Sequence, residues 1–264
     1  MLFRSYTFVV LRLPSPAAGY ATVTSSGAVQ PYGGGSGNVL KVSGAVIGAA
    51  ATDDGTGGAA VTAAGKVSTW GTLKNLGSLP AAAGHAHVTA IGVLPRGGGY
   101  LLADSDGRVW AFGSATSYGD LHADVVRSPI VAILPSFDGN GYVLVEQGGA
   151  TRSFGSAANL PTLNRTGATW PISAATLTGG GTGMLLADTR GHVFALGSAR
   201  THGDLSANKH VEGTVAGIIP SATDNGYTLV TSTGHAYRFG DASVAAEGHV
   251  SAAAEPAPVV AATR

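Results

Sequence analysis

One glycine pattern, returning about every 42 residues, constrains this chain more than anything else in it. Residues 99–113 read Gly-Tyr-Leu-Leu-Ala-Asp-Ser-Asp-Gly-Arg-Val-Trp-Ala-Phe-Gly. An apolar run, a turn closed by Gly and a second alternating run stopped by Gly predict a β-hairpin. The pattern recurs over 141–155, 183–197 and 226–240, and more weakly in two earlier copies. Its turn glycines are Gly27, Gly65, Gly107, Gly149, Gly191 and Gly234. Strand-ending glycines follow six residues later, at Gly33, Gly71, Gly113, Gly155, Gly197 and Gly240. Successive turn glycines are 38, 42, 42, 42 and 43 residues apart, a period that implies a propeller or a stacked array.

Each unit opens with a short apolar run that often ends at Pro, as at 88–95, 130–135 and 215–220. A turn rich in Gly, Asp and Asn follows, for example Asp53-Asp54-Gly55 or Asp138-Gly139-Asn140. The position before the last Gly holds Tyr32, Trp70, Phe112, Phe154, Leu196 and Phe239. One bulky apolar side chain per unit is what packing between neighbouring sheets requires. Tyr20, Tyr100, Tyr142, Met184 and Tyr227 share that role on the preceding strand, with Gly58 the exception. Connectors between units carry Tyr118-Gly119-Asp120-Leu121 and His202-Gly203-Asp204-Leu205. Leu76-Gly77-Ser78-Leu79 is related, and Asn159-Leu160-Pro161-Thr162-Leu163 lacks the Gly. No stretch has helical periodicity. The expectation is an all-β propeller of about six blades, each with three to four antiparallel strands. Its units span 7–44, 45–87, 88–129, 130–170, 171–213 and 214–250 in a single domain. The Ala/Pro-rich residues 251–264 read as a tail or linker.

Composition narrows the function. Fifteen basic residues balance fifteen acidic ones, charged residues are 11% of the chain, and no basic run appears. Nucleic acid is therefore not an expected partner. The absence of cysteine excludes disulfides and thiolate chemistry. No apolar run approaches the roughly 18 residues of a spanning helix. Met1-Leu2-Phe3-Arg4 and the residues after it faintly resemble a signal peptide. Arg12 interrupts the apolar segment, however, and Val9-Val10-Leu11-Arg12-Leu13-Pro14 aligns with Ile130-Val131-Ala132-Ile133-Leu134-Pro135. The segment is read as a repeat strand.

The run Asp106-Gly107-Arg108-Val109-Trp110-Ala111-Phe112-Gly113-Ser114-Ala115, with Tyr118-Gly119-Asp120-Leu121 and Gly141-Tyr142-Val143-Leu144-Val145, resembles a known repeat. Short propeller-type repeats of this kind occur in exported and cell-envelope proteins of actinobacteria. More distantly, the chain is similar to the repeats of the regulator of chromosome condensation family, which form a seven-bladed propeller. The likeness covers residues 8–245. Shorter units, a count of six and the lack of a basic tail separate this chain from that family, so its exchange-factor role is not carried over. The resemblance implies a secreted or cell-envelope location, with protein or carbohydrate as partner and a monomeric state.

The candidate residues fall into two repeated sets. Lys66, Arg108, His192 and His235 follow the turn glycine in four units and would form a partial basic collar able to attract an acidic sugar or phosphate. Ordinary solvation of a hairpin end is the preferred reading of these positions. Tyr118, Asp120, His202 and Asp204 occupy matching connector positions. An aromatic beside polar partners suits a sugar; an Asp that shapes its own loop is the structural alternative. His85 and His87 are a metal pair without a third ligand, so no metal or other cofactor is expected. Gly179-Gly180-Gly181-Thr182-Gly183 lacks the Lys of a phosphate loop, and no hydrolase signature is present. The sequence therefore predicts a non-catalytic binding or scaffold module. A lectin-like propeller, and a hydrolase or lyase with its site at the central channel mouth, remain as alternatives.

Overall fold

The computed structural model describes residues 9–11, 20–32, 38–80, 87–122, 126, 128–163, 170–207, 210–242 and 259–263. At 9–11, 20, 31–32, 38–39 and 259–263 it describes the backbone alone. Every regular element among these residues is a strand. None of the described residues forms a helix long and apolar enough to cross a membrane. His85, Gly33, Arg12 and residues 251–258 lie outside the described set.

The chain begins with β1 (Val9–Leu11), β2 (Tyr20–Thr24), β3 (Ala28–Tyr32) and β4 (Asn38–Val39). Five antiparallel sheets of three strands follow. They are β5 (Val46–Ala51), β6 (Gly57–Thr62) and β7 (Val67–Gly71); β8 (Val88–Val93), β9 (Gly99–Asp104) and β10 (Val109–Gly113); and β11 (Ile130–Pro135), β12 (Gly141–Glu146) and β13 (Thr151–Gly155). The last two are β14 (Ile172–Leu177), β15 (Gly183–Asp188) and β16 (Val193–Gly197), then β17 (Val215–Pro220), β18 (Gly226–Thr231) and β19 (Ala236–Gly240). Each predicted hairpin spans the second and third strands of a sheet. In the third sheet Tyr100 pairs with Phe112, and Gly99 with Gly113.

The burial gradient explains the composition. Strands β9, β12 and β15 are buried at every position, because neighbouring sheets cover both faces. Continuous apolar runs suit such strands. The third strands are half-exposed and end at an exposed Gly. One core cluster joins Leu101 and Ala103 of the third sheet to Ile133, Tyr142 and Leu144 of the fourth.

Residues 259–263, assigned from composition to a tail, instead form a strand, β20 (Val259–Thr263). It pairs antiparallel with β2 and parallel with β1, in the order β1-β20-β2-β3-β4. Its pairing reproduces that of the other first strands. A bulge lies between residues 88 and 90, 130 and 132, and 215 and 217 in their sheets. The same irregularity falls where Val23 faces Ala261 and Thr24 faces Val259. The short Val-Val-Ala-Ala-Thr run is a first strand, concealed in the sequence by its Ala/Pro-rich setting.

The first strands are neighbours of one another. β5 lies beside β8, β8 beside β11, β11 beside β14, β14 beside β17, and β17 beside β20, which returns to β5. β1 lies against β5, β8, β14 and β17 as well as β20.

Among the described residues only β4 pairs as a fourth strand, on the outer edge of β3. Elsewhere the connector leaves a single leucine over the hairpin turn: the amides of Leu79, Leu121 and Leu205 donate to the carbonyls of Gly65, Gly107 and Gly191 at 2.9–3.0 Å. At Gly191 the backbone is left-handed (φ 86°), and a Cβ there would come within 2.7 Å of Leu205. Glycine is thus required twice at this turn, by conformation and by space.

Candidate functional site

The connectors are held by the tyrosines of the next sheet. The Tyr142 hydroxyl donates to the Gly119 carbonyl and accepts the Tyr118 amide at 3.2 Å. Tyr227 does the same with Gly203 and His202, and Tyr100 with Gly77 and Leu76. Burial raises all three phenol pKa values, against the opposing effect of these hydrogen bonds. Met184 has no hydroxyl, and the connector before it is the one that replaces Gly with Pro161. At Gly58 the Trp70 ring fills the space, and a Cβ there would collide with it.

Two of the proposed connector residues are thereby committed to packing. Tyr118 lies 6.4 Å from the Tyr142 ring yet stays 40% exposed. His202 meets Tyr227 edge-on at 6.2 Å, and its buried Nε2 makes no hydrogen bond among the described residues. Asp120 and Asp204 shape their own loops. Oδ1 of Asp120 accepts the His122 amide at 3.1 Å, and Oδ1 of Asp204 accepts the Ser206 amide at 2.9 Å and the Ser206 hydroxyl. Burial pushes the Asp204 pKa upward. The Ser206 hydrogen bonds and the nearby His192 nevertheless bring it below the usual carboxylate range.

The turn-following residues stand at the end of each sheet where the connector leucine arrives. A residue absent from the sequence reading organises this end, the last residue of the second strand. Oδ1 of Asp104 accepts the amides of Asp106 and Arg108 at 3.0 and 2.9 Å. Oδ1 of Asp188 accepts those of Arg190 and His192 at 2.9 and 3.1 Å. Thr62 and Thr231 make the same bond to the amides of Lys66 and His235 through their hydroxyls. Glu146 is a methylene longer and reaches the Ser128 amide instead. A polar residue closing an apolar strand four positions before the turn-following residue was the available signal.

The four turn-following side chains then diverge. Lys66 is exposed. The Arg108 guanidinium lies on the His122 imidazole, with Nε donating to Nδ1 at 2.9 Å. His235 is 3.5 Å from Glu212, whose side chain is largely exposed. His192 places Nδ1 2.7 Å from Oδ2 of Asp188, a side chain 1% exposed.

His192 also lines a groove among the described residues. The groove has a volume of about 450 Å³ and is bordered by Trp170, Thr189, Arg190, His192, Ser206 and Thr214, with Leu205 and Val211 also contributing. Trp170 is 46% exposed, and the Arg190 guanidinium stacks 4.1 Å from its ring centroid. Of the predicted residues, His192 alone borders this groove; neither His202 nor Asp204 is among its lining residues. His192 comes from the hairpin turn, and Ser206 follows the connector Asp204. Tyr118, Asp120, Lys66 and Arg108 belong to other sheets. Trp170 and Arg190 break the repeat. Their counterparts are Gly44, Ala86, Ser128 and Gly213 for Trp170, and Ser26, Ala64, Asp106, Gly148 and Thr233 for Arg190.

At the other end of the sheets, turn carboxylates cap backbone. Asp138 accepts the Ser136 hydroxyl, the Asn140 amide and the Ser156 hydroxyl, which lower its pKa to about 2. Asp224 takes the place of Gly55, Gly97, Gly139 and Gly181 at φ 59°, and its Oδ2 accepts the Gly179 amide of the neighbouring sheet. Among the described residues no three His, Asp or Glu are placed to hold a metal. Comparison with known proteins yields no matching family model and no matching curated protein.

Proposed function

We propose that the chain is a six-bladed β-propeller acting as a non-catalytic binding module of an exported or cell-surface protein. Six first strands that neighbour one another in a cycle, with β20 completing the set, support the propeller reading. The observation that carries the binding function is the groove at Trp170, Arg190 and His192. Two of its residues, Trp170 and Arg190, depart from the repeat, while His192 and Leu205 belong to it. An exposed indole beside a guanidinium and three hydroxyl-bearing residues is a recognition surface. The Ser206 hydroxyl in the groove donates to Asp204 rather than to His192.

A carbohydrate ligand is the second reading, favoured by the exposed indole of Trp170. A hydrolase or lyase site at a channel mouth has less support, because β1 lies against four of the first strands that would line such a channel. The test is a panel of glycans and of generic ester, glycoside and peptide substrates applied to the purified chain. Binding without turnover, lost in Trp170→Ala, is expected. Turnover of any substrate, or binding indifferent to Trp170→Ala, overturns the proposal.

A further inference from the structure

We propose that the groove between the β15–β16 turn and the connector leading to β17 takes a carboxylate-bearing sugar, a hexuronate, with Arg190 clasping the carboxylate. The inference rests on the binding-module reading and names the ligand class of that same groove.

Three features of the groove argue for it. The first is preorganisation. The buried Asp188 fixes the turn that carries both groups: Oδ1 holds the Arg190 and His192 backbone amides and Oδ2 holds His192 Nδ1. The guanidinium itself is held over the Trp170 ring, with Cζ 4.1 Å from the ring centroid. Groups fixed before binding lose little entropy when the ligand arrives. The second is chemical pairing. A planar guanidinium matches a carboxylate in a two-point, charge-assisted contact. With Nδ1 engaged by Asp188, the imidazole leaves Nε2 for a hydrogen bond with a sugar hydroxyl. Thr189, Ser206 and Thr214 add hydroxyls, and Leu205 and Val211 add apolar surface for a ring face. The third is charge. The lining contains no acidic side chain, and carboxylates adjoining it are already engaged: Asp188 by the turn and His192, Asp204 by Ser206, and Glu212 by His235 at 3.5 Å. A phosphate group is the poorer fit. It wants several converging donors, and the groove offers one guanidinium at the N-terminus of no helix.

The experiment is calorimetric titration of the whole chain with D-glucuronic and D-galacturonic acid, beside their methyl esters and the parent hexoses. Saturation-transfer NMR reports weak binding. The acids should bind, and the esters and hexoses should bind roughly tenfold or more weakly. Arg190→Met should abolish that preference and Trp170→Ala should remove binding. Both residues are exposed, so the variants should melt as the parent does. Equal affinity for acid and ester, an unchanged Arg190→Met variant, or no binding of any uronate overturns the inference. Hexose binding lost in Trp170→Ala but kept in Arg190→Met overturns the acidic ligand alone and leaves the binding module standing. Hydrolysis of a glycan probe overturns the binding module instead.

Discussion

Tyr142 shows how a single repeated residue is used twice. Its ring fills the space between two sheets and its hydroxyl clasps the connector of the sheet before. The ring was legible as a recurring bulky position. The hydroxyl's role was not, because the tyrosine and its partner glycine are 23 residues apart and belong to different units. Tyr142→Phe keeps the ring and leaves the Gly119 carbonyl and Tyr118 amide without their partner. It should lower stability by about 1–3 kcal/mol, read from urea unfolding. Tyr227→Phe should behave alike. An unchanged midpoint in both variants would mean that water replaces the clasp. Trp170 and Arg190 taught the opposite lesson. Both depart from the repeat, and nothing local in the sequence marks them as a pair. Their significance rests on a contact between residues 20 positions apart.

At the scale of the element, the hairpin is specified almost wholly by local chemistry. The turn Gly, the polar residue closing the second strand and the connector leucine form one unit around each turn. The turns at the opposite end depend on ionised carboxylates. Asp138 has a folded pKa of about 2, and those of Asp54 and Asp241 are lowered as well, chiefly by hydroxyl groups of Thr52 and Thr223. A depressed folded pKa means that folding favours the charged form. That stabilisation is complete above the unfolded value of about 3.9 and is lost as pH falls through the folded value. Denaturation midpoints should therefore hold near pH 5 and drop between about pH 4 and pH 2. Asp138→Ala should begin less stable and fall less steeply over that window. Parallel curves for variant and parent would remove Asp138 from the account.

For the whole molecule, both chain ends supply a candidate first strand and the first sheet seats only one beside β2. β20 takes that place, and β1 lies on its far side. The aligned repeats give a reason. Arg12 falls at the position held by Ile133, and in the other sheets that position holds Ala49, Ile91, Ala175 and Ile218, all buried. Seating the N-terminal segment beside β2 would place a guanidinium among apolar neighbours, at a cost of several kcal/mol. β20 brings Ala262 to the same position, opposite Thr22. Deleting residues 251–264 should leave β2, β5 and β17 short of a neighbour and broaden and lower the thermal transition. Arg12→Ile in the truncated chain should restore much of the loss by letting the N-terminal strand take the seat. A truncated chain as stable as the parent would show that β20 does not complete the ring.

Strand content, hairpin positions and the order of the units followed from the sequence alone, because they rest on turn glycines and alternation within a dozen residues. Which end of the chain completes the first sheet, what the tyrosine hydroxyls bind and where the groove at Trp170 opens were decided by tertiary structure. Each depends on groups brought together from different units, and on the difference in free energy between burying an arginine and burying an alanine in one seat.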